Sequence, residues 1–202
     1  MDEQGTEAWL QARAGKATAS RAGDVLAKIR SGESASRYNY KAQLVTERLT
    51  GLPTDSYTSA EMQWGIDHEA EARAVYEAVN DVEVIETGFK QHNNLDAGAS
   101  PDGLVGTDGL IEIKCPNSIS HIKTIIDGTA PKKYIPQMMM QMWITNRKWC
   151  DFVSYDPRLD PKNAYFCVRV ERDDEYIANL EKEVTAFLIE VDELVTKLKE
   201  RK

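Results

Sequence analysis

The sequence predicts an α/β protein of the α+β kind, a mixed central sheet flanked by helices. Three observations predict it. Apolar residues three and four apart dominate the first third of the chain and the stretch from residue 173 onward, whereas the middle alternates with period two. The 202 residues carry no internal repeat, low-complexity run or linker, so residues 1–202 read as a single domain with one sizeable core.

The elements follow in order. Helices are expected over 6–13, 20–29 and 36–50; the third shows Tyr40, Leu44, Val45 and Leu49 on one face and stops at Gly51. After a loop at Pro53, Thr58-Ser59-Ala60-Glu61 has the spacing of a capping box and opens a helix reaching about Val79. Met62, Ile66, Glu69, Ala70 and Arg73 share one face of it. Short strands are expected over 82–86, 88–92, 96–100, 103–105 and 110–115, the last two joined by the turn Gly106-Thr107-Asp108-Gly109. Helix returns over 118–126 and again around Pro136, which suits a first helical turn. Strands over 151–155 and 164–170 precede a long closing helix, about 173–202. Leu180, Val184, Phe187, Val191, Leu194 and Leu198 form its expected buried stripe.

Composition narrows the function. Hydrophobic residues make up 42% and charged residues 29%, which excludes wholesale disorder. No apolar run approaches the ~20 residues a membrane helix needs, and the start Met1-Asp2-Glu3-Gln4 lacks the basic and apolar parts of a secretory signal. Cys115, Cys150 and Cys167 are widely spaced and odd in number, so they read as reduced thiols of a cytoplasmic protein and are too few for an iron–sulfur cluster. A net charge of −8 weighs mildly against a nucleic-acid partner. The basic residues nevertheless gather in 13–37 and 114–148, enough for a local basic groove. The acidic excess lies from Glu171 onward and around 61–86.

The chemistry concentrates in Ser100-Pro101-Asp102-Gly103, followed by Glu112-Ile113-Lys114. On a strand, Glu112 and Lys114 share one face while Ile111, Ile113 and Cys115 take the other. The turn at 106–109 brings the neighbourhood of Asp102 opposite that of Glu112. Two carboxylates and a lysine therefore converge within an apolar strand, where unpaired burial would cost several kcal/mol each. Two readings fit: an ion pair on an exposed sheet face, or oxygen ligands for Mg²⁺ or Mn²⁺ in phosphodiester hydrolysis. Lys114 would then orient or deprotonate the attacking water, or offset developing negative charge. Glu69 is either a solvated edge residue or a third ligand, and His68 beside it lies to the side. The methionines around Gln137 read as core packing.

Further motifs carry a resemblance. Ser-Pro-Asp followed by Glu-x-Lys resembles the PD-(D/E)xK nuclease superfamily. Trp9-x-x-x-Arg13, Thr18-Ala19-Ser20, Trp64-Gly65-x-x-x-Glu69, Ser100-Pro101-Asp102-Gly103, Glu112-Ile113-Lys114-Cys115-Pro116, Gln137 with Met142-Trp143, and Tyr155-Asp156-Pro157-Arg158 resemble, in order, the lambda exonuclease (YqaJ-type viral recombinase) family. The match covers about 9–158 and implies a restriction-endonuclease-like core.

The resemblance also implies roles. Asp102 and Glu112, with the backbone carbonyl of Ile113, would hold the main Mg²⁺, Mn²⁺ being a substitute, and Glu69 with Asp102 would hold a second. Lys114 would be the catalytic lysine. Arg13, Ser20, Ser100 and Gln137 would bind the 5′-phosphate of the digested strand, and Met62 would wedge between the strands. The implied activity is 5′→3′ digestion of linear double-stranded DNA to mononucleotides by a homotrimeric ring, beside a single-strand annealing protein in phage-type recombination. Another PD-(D/E)xK endonuclease and an inactive DNA-binding scaffold are the competing readings.

Overall fold

The computed structural model describes residues 4–54 and 59–201. Thr6 caps α1 (Glu7–Arg13) by accepting from the Trp9 N–H, which leaves Trp9 and Arg13 one turn apart on the same helix face. Strand β1 (Ala17–Thr18), a 3-10 turn (Ala19–Arg21) and the four-residue α2 (Ala22–Val25) follow. The helix expected over 20–29 is thus cut short. Gly23 and Val25 are poor helix formers, and the burial of Ala22 and Val25 is complete by its end.

Helix α3 (Ala35–Thr50) starts on a Ser34 cap and stops at Gly51, whose φ of 71° is the left-handed cap that glycine supplies freely. Tyr40, Leu44 and Val45 are buried as expected, but Leu49 is 41% exposed. At that end the inward residue is Glu47, which accepts from the Gly15 N–H, so α3 meets the polar turn after α1 instead of more core.

Helix α4 (Ala60–Asn80) is capped by Ser59, whose side chain accepts from the Met62 N–H; Thr58 lies outside the described residues. Its buried side is Ala72 and Tyr76 with half-buried Trp64 and Val75, while Met62, Ile66 and Ala70 are exposed. The stripe from Met62 to Arg73 is therefore not the buried face. Covering the two aromatic rings withdraws more apolar surface than covering Met62 and Ile66.

Strands β2 (Val84–Ile85), β3 (Lys90–Gln91), β4 (Ala97–Ala99), β5 (Gly103–Val105) and β6 (Gly109–Lys114) come next. They are followed by α5 (Ser118–Asp127), a 3-10 turn (Lys132–Tyr134), α6 (Ile135–Thr145), β7 (Trp149–Tyr155), β8 (Tyr165–Glu171) and α7 (Asp174–Lys199). The strands divide into two sheets, ordered β1-β4-β3 and β2-β5-β6-β7-β8. In the larger, β6 and β7 run parallel because α5 and α6 form the crossover between them, and the other pairs are antiparallel.

Alternation along these strands builds two cores. Leu110, Cys150 and Phe152 pack with α3, α6 and α7, whereas Ile111, Ile113, Cys115, Val153 and Tyr155 pack with Ala72 and Tyr76 of α4. The sheet is sandwiched as expected. On α7, Leu180, Val184, Phe187 and Val191 are buried and Leu194 partly so, but Leu198 is 39% exposed because the helix outruns the core. All three cysteines are free, and among the described residues no helix is long and apolar enough to cross a membrane.

Candidate active site

Register places the carboxylates. Gly103 pairs with Ile111, so Asp102 falls beside the middle of β6 and its Oδ2 accepts from the Ile113 N–H at 2.6 Å. The pairing is close: a Cβ on Gly103 would lie 2.1 Å from Val84 Cγ1, so glycine makes room for the Val84 side chain as β2 covers this strand. Glu112 points to the opposite side from Ile111 and Ile113 and has no exposed surface. It forms an ion pair with Lys114, two residues on along the same face. An ion pair on an exposed sheet face is excluded by that burial.

Two glutamines of α6 complete the surroundings of Glu112. Gln137 Nε2 donates to Oε1 at 2.5 Å, and Gln141 Nε2 donates to Oε2 at 2.6 Å. The ammonium of Lys114 also lies over the Tyr134 ring, 5.5 Å from its centroid.

Charge is in excess here. Burial, reinforced by Glu112, holds the Asp102 carboxyl well above the usual carboxylate range. Burial also pushes Glu69 up, against the opposing pull of Arg73 and Lys114. For Lys114, burial would lower the ammonium, but Glu112 and Asp102 together outweigh it and hold it above the ordinary lysine range. Nearby Cys115 is pushed up to about 12 by burial, which leaves it an unreactive thiol.

Three carboxylates thus face one internal ammonium, with Arg73 pairing Glu69 at 2.9 Å from the side. A hard cation would relieve that excess, and an all-oxygen donor set suits Mg²⁺ or Mn²⁺. Among the described residues, no three carboxylate, imidazole or thiol side chains stand placed to share one ion. The fit therefore rests on Asp102, Glu112 and a main-chain carbonyl such as that of Ile113, a sparse set matching an ion that keeps several waters.

The residues implied for a 5′-phosphate meet through Trp9. Its indole N–H donates to Ser100 Oγ at 2.9 Å, and the Arg13 guanidinium lies over its ring, 3.8 Å from the centroid. Arg13 Nη2 reaches Ser20 Oγ at 3.4 Å, and Thr18 Oγ1 is 3.3 Å from the same hydroxyl. Desolvation lowers the Arg13 guanidinium from its ordinary value. Ser100 stands two residues before Asp102, which joins this cluster to the carboxylates. Gln137, by contrast, is engaged by Glu112. Met62 is 54% exposed near the start of α4. His68 reaches Glu71 at 3.3 Å and its ring lies tilted against Trp64, the centroids 4.0 Å apart.

Sequence reasoning assigned no role to Trp9, Gln141, Tyr134 or His121. His121 is fully buried, with Nδ1 2.7 Å from Ser154 Oγ and Nε2 2.8 Å from the Asn163 carbonyl; Ser154 pairs with Lys114 across β6 and β7. The signals for Trp9 and Gln141 were present as four-residue spacings to Arg13 and Gln137. Nothing local distinguished His121 from an ordinary helical residue.

The sequence profile of the YqaJ-like viral recombinase domain matches residues 8–148. The chain is 50% identical to the alkaline exonuclease LHK-Exo from Laribacter hongkongensis, over 96% of each chain and with a TM-score of 0.90. It is 51% identical to LHK-Exo in its crystal structure with dAMP, again over 96% of each chain at a TM-score of 0.90. A phage-related exonuclease from Haemophilus somnus 129PT shares the fold at 17% identity, over 91% of this chain and 96% of that one, with a TM-score of 0.69.

Proposed function

The chain belongs to the YqaJ-like viral recombinase family, and from that membership we propose that it is a magnesium-dependent exonuclease digesting linear double-stranded DNA 5′→3′ from phosphorylated ends. The observation that carries this reading is the buried Asp102–Glu112 pair beside Lys114, at one end of the cluster joining Arg13, Ser20 and Ser100. The dAMP bound to LHK-Exo is a deoxynucleoside monophosphate, the product class expected of such digestion.

Asp102, Glu112 and the Ile113 carbonyl would hold one Mg²⁺ or Mn²⁺, and Glu69 with Asp102 a second. Bound there, the ion supplies an activated water and positive charge against the scissile phosphate. Lys114, paired with Glu112, would orient or deprotonate that water, or offset the developing negative charge. The Arg13 fork and the Ser20 and Ser100 hydroxyls suit the terminal phosphate. Gln137 Nε2 carries two hydrogens, so it can serve Glu112 and the phosphate together. Trp9 holds Arg13 and Ser100 in place.

Release of mononucleotides would leave a 3′ single strand for an annealing protein. A closed homotrimeric ring would make digestion processive by topology, and its mass is readable by light scattering. The test of the reading is a linear duplex with one 5′-phosphate and one 5′-hydroxyl end, each strand separately labelled, in Mg²⁺. Loss chiefly of the phosphorylated strand from its 5′ end is expected, while loss from the 3′ end would overturn the polarity.

A further inference from the structure

We propose that Gln141 is a positioning residue that fixes the carboxylate plane of Glu112 for a divalent cation, an inference resting on the reading of the site given above. Gln137 and Gln141 lie one turn apart on α6, so both amides reach β6 from one helix face. They divide the carboxylate between them. Oε1 receives Gln137 and Lys114, whereas the hydrogen bond that Oε2 receives among the described residues comes from Gln141.

Gln141 is an unusual occupant of its position. It has no exposed surface, and its neighbours along the helix, Met138, Met139, Met140 and Met142, are all buried. Its own Oε1 is buried without a hydrogen-bond partner. A fifth methionine would fill nearly the same volume without stranding an amide oxygen. What glutamine adds is the N–H it donates, and only the nitrogen can face a carboxylate without repulsion.

With both oxygens held, the Glu112 carboxyl cannot turn about its last bond. Oε1 stays on the side of Lys114 and Gln137, so a cation would meet the carboxylate in one orientation. Gln141 touches no reacting atom and acts through Glu112.

The test is a calorimetric titration of the full chain with Mn²⁺ in the absence of DNA, for wild type, Gln141→Met and Gln141→Asn. Gln141→Met keeps the volume and removes the donor. Gln141→Asn keeps the amide but withdraws it by one methylene, and carries the test should the first variant fail to fold. In either folded variant, Mn²⁺ affinity is expected to fall about 10- to 100-fold, with the wild-type thermal midpoint retained. On DNA, kcat should fall while KM for ends holds. Wild-type Mn²⁺ affinity in a folded variant overturns the proposal. A wild-type chain that binds no Mn²⁺ overturns it together with the metal reading. A wild-type chain that binds Mn²⁺ but leaves DNA intact overturns the exonuclease reading alone, and the affinity ratio still decides the role of Gln141.

Discussion

Asp102 is where stability and function pull apart. Its carboxyl is buried, pushed up by burial and by Glu112, and kept in place by the Ile113 N–H. Asp102→Asn retains an acceptor for that N–H and removes a charge the fold tolerates poorly. The variant should gain about 1 kcal/mol, seen as a raised thermal midpoint, while kcat falls at least ~10²-fold. A lowered midpoint would mean that the carboxylate is compensated by something other than a cation. Met62 makes a separate residue-scale prediction: exposed on α4, it should serve as the strand wedge. Met62→Ala is expected to slow digestion of duplex several-fold and leave single strands unaffected, and equal slowing of both would remove the role. Glu112 and Lys114 were legible because a strand's period fixes which side each residue takes, and Asp102 because the turn at 106–109 sets it opposite Glu112. Gln141 was not, since a glutamine among methionines reads as core until the carboxylate behind it is seen. Trp9 was visible as a motif letter, but its link to Ser100 spans 91 residues and leaves no local trace.

At the scale of elements, α3 is tied to α7 by Glu190, which takes the Arg37 fork at 2.7 and 2.8 Å and Lys41 at 2.8 Å. Arg37 foremost, with Lys41, holds the Glu190 carboxyl at about 2 against an ordinary value of 4.5. A depressed carboxylate contributes stability above its unfolded pKa and loses it as the pH falls through the folded one. Stability should therefore decline between pH 4.5 and about 2, and Glu190→Gln should flatten that part of a denaturant-midpoint profile. The carboxylate is 38% exposed, so screening keeps the effect to about 1 kcal/mol or less. Gly103 makes the second element-scale prediction. The 2.1 Å approach of the Val84 side chain means that Gly103→Ala must shift Val84, at an expected cost of about 1–3 kcal/mol and with the strand beside Asp102 disturbed. A variant as stable and as active as wild type would contradict that placement. Element order and the long helices were legible from periodicity. The early break at α2 and the division into two sheets were not, because strands of two or three residues are defined by distant partners: β1 pairs with β4 some eighty residues away.

For the whole molecule, one five-stranded sheet carries both cores and sets Asp102, Glu112 and Lys114 together, while helices and the smaller sheet supply the other proposed residues. Asp102 precedes β5, Glu112 and Lys114 lie on β6, the glutamines come from α6, Glu69 from α4 and Arg13 from α1. The net charge of −8 is then less an obstacle to DNA than it first reads, since part of it is the carboxylate cluster itself. If, as proposed, Arg13, Ser20 and Ser100 take a terminal phosphate and Asp102 and Glu112 a metal, the protein should act on ends alone. The measurement that tests this most directly places a linear duplex and a covalently closed circle of the same DNA in one tube with the protein and Mg²⁺, and follows each on a gel with time. Steady conversion of the linear form to mononucleotides, with the circle intact and everything stopped by chelator, is the result expected. Cutting of the circle, or equal loss of linear DNA without a divalent metal, would contradict it.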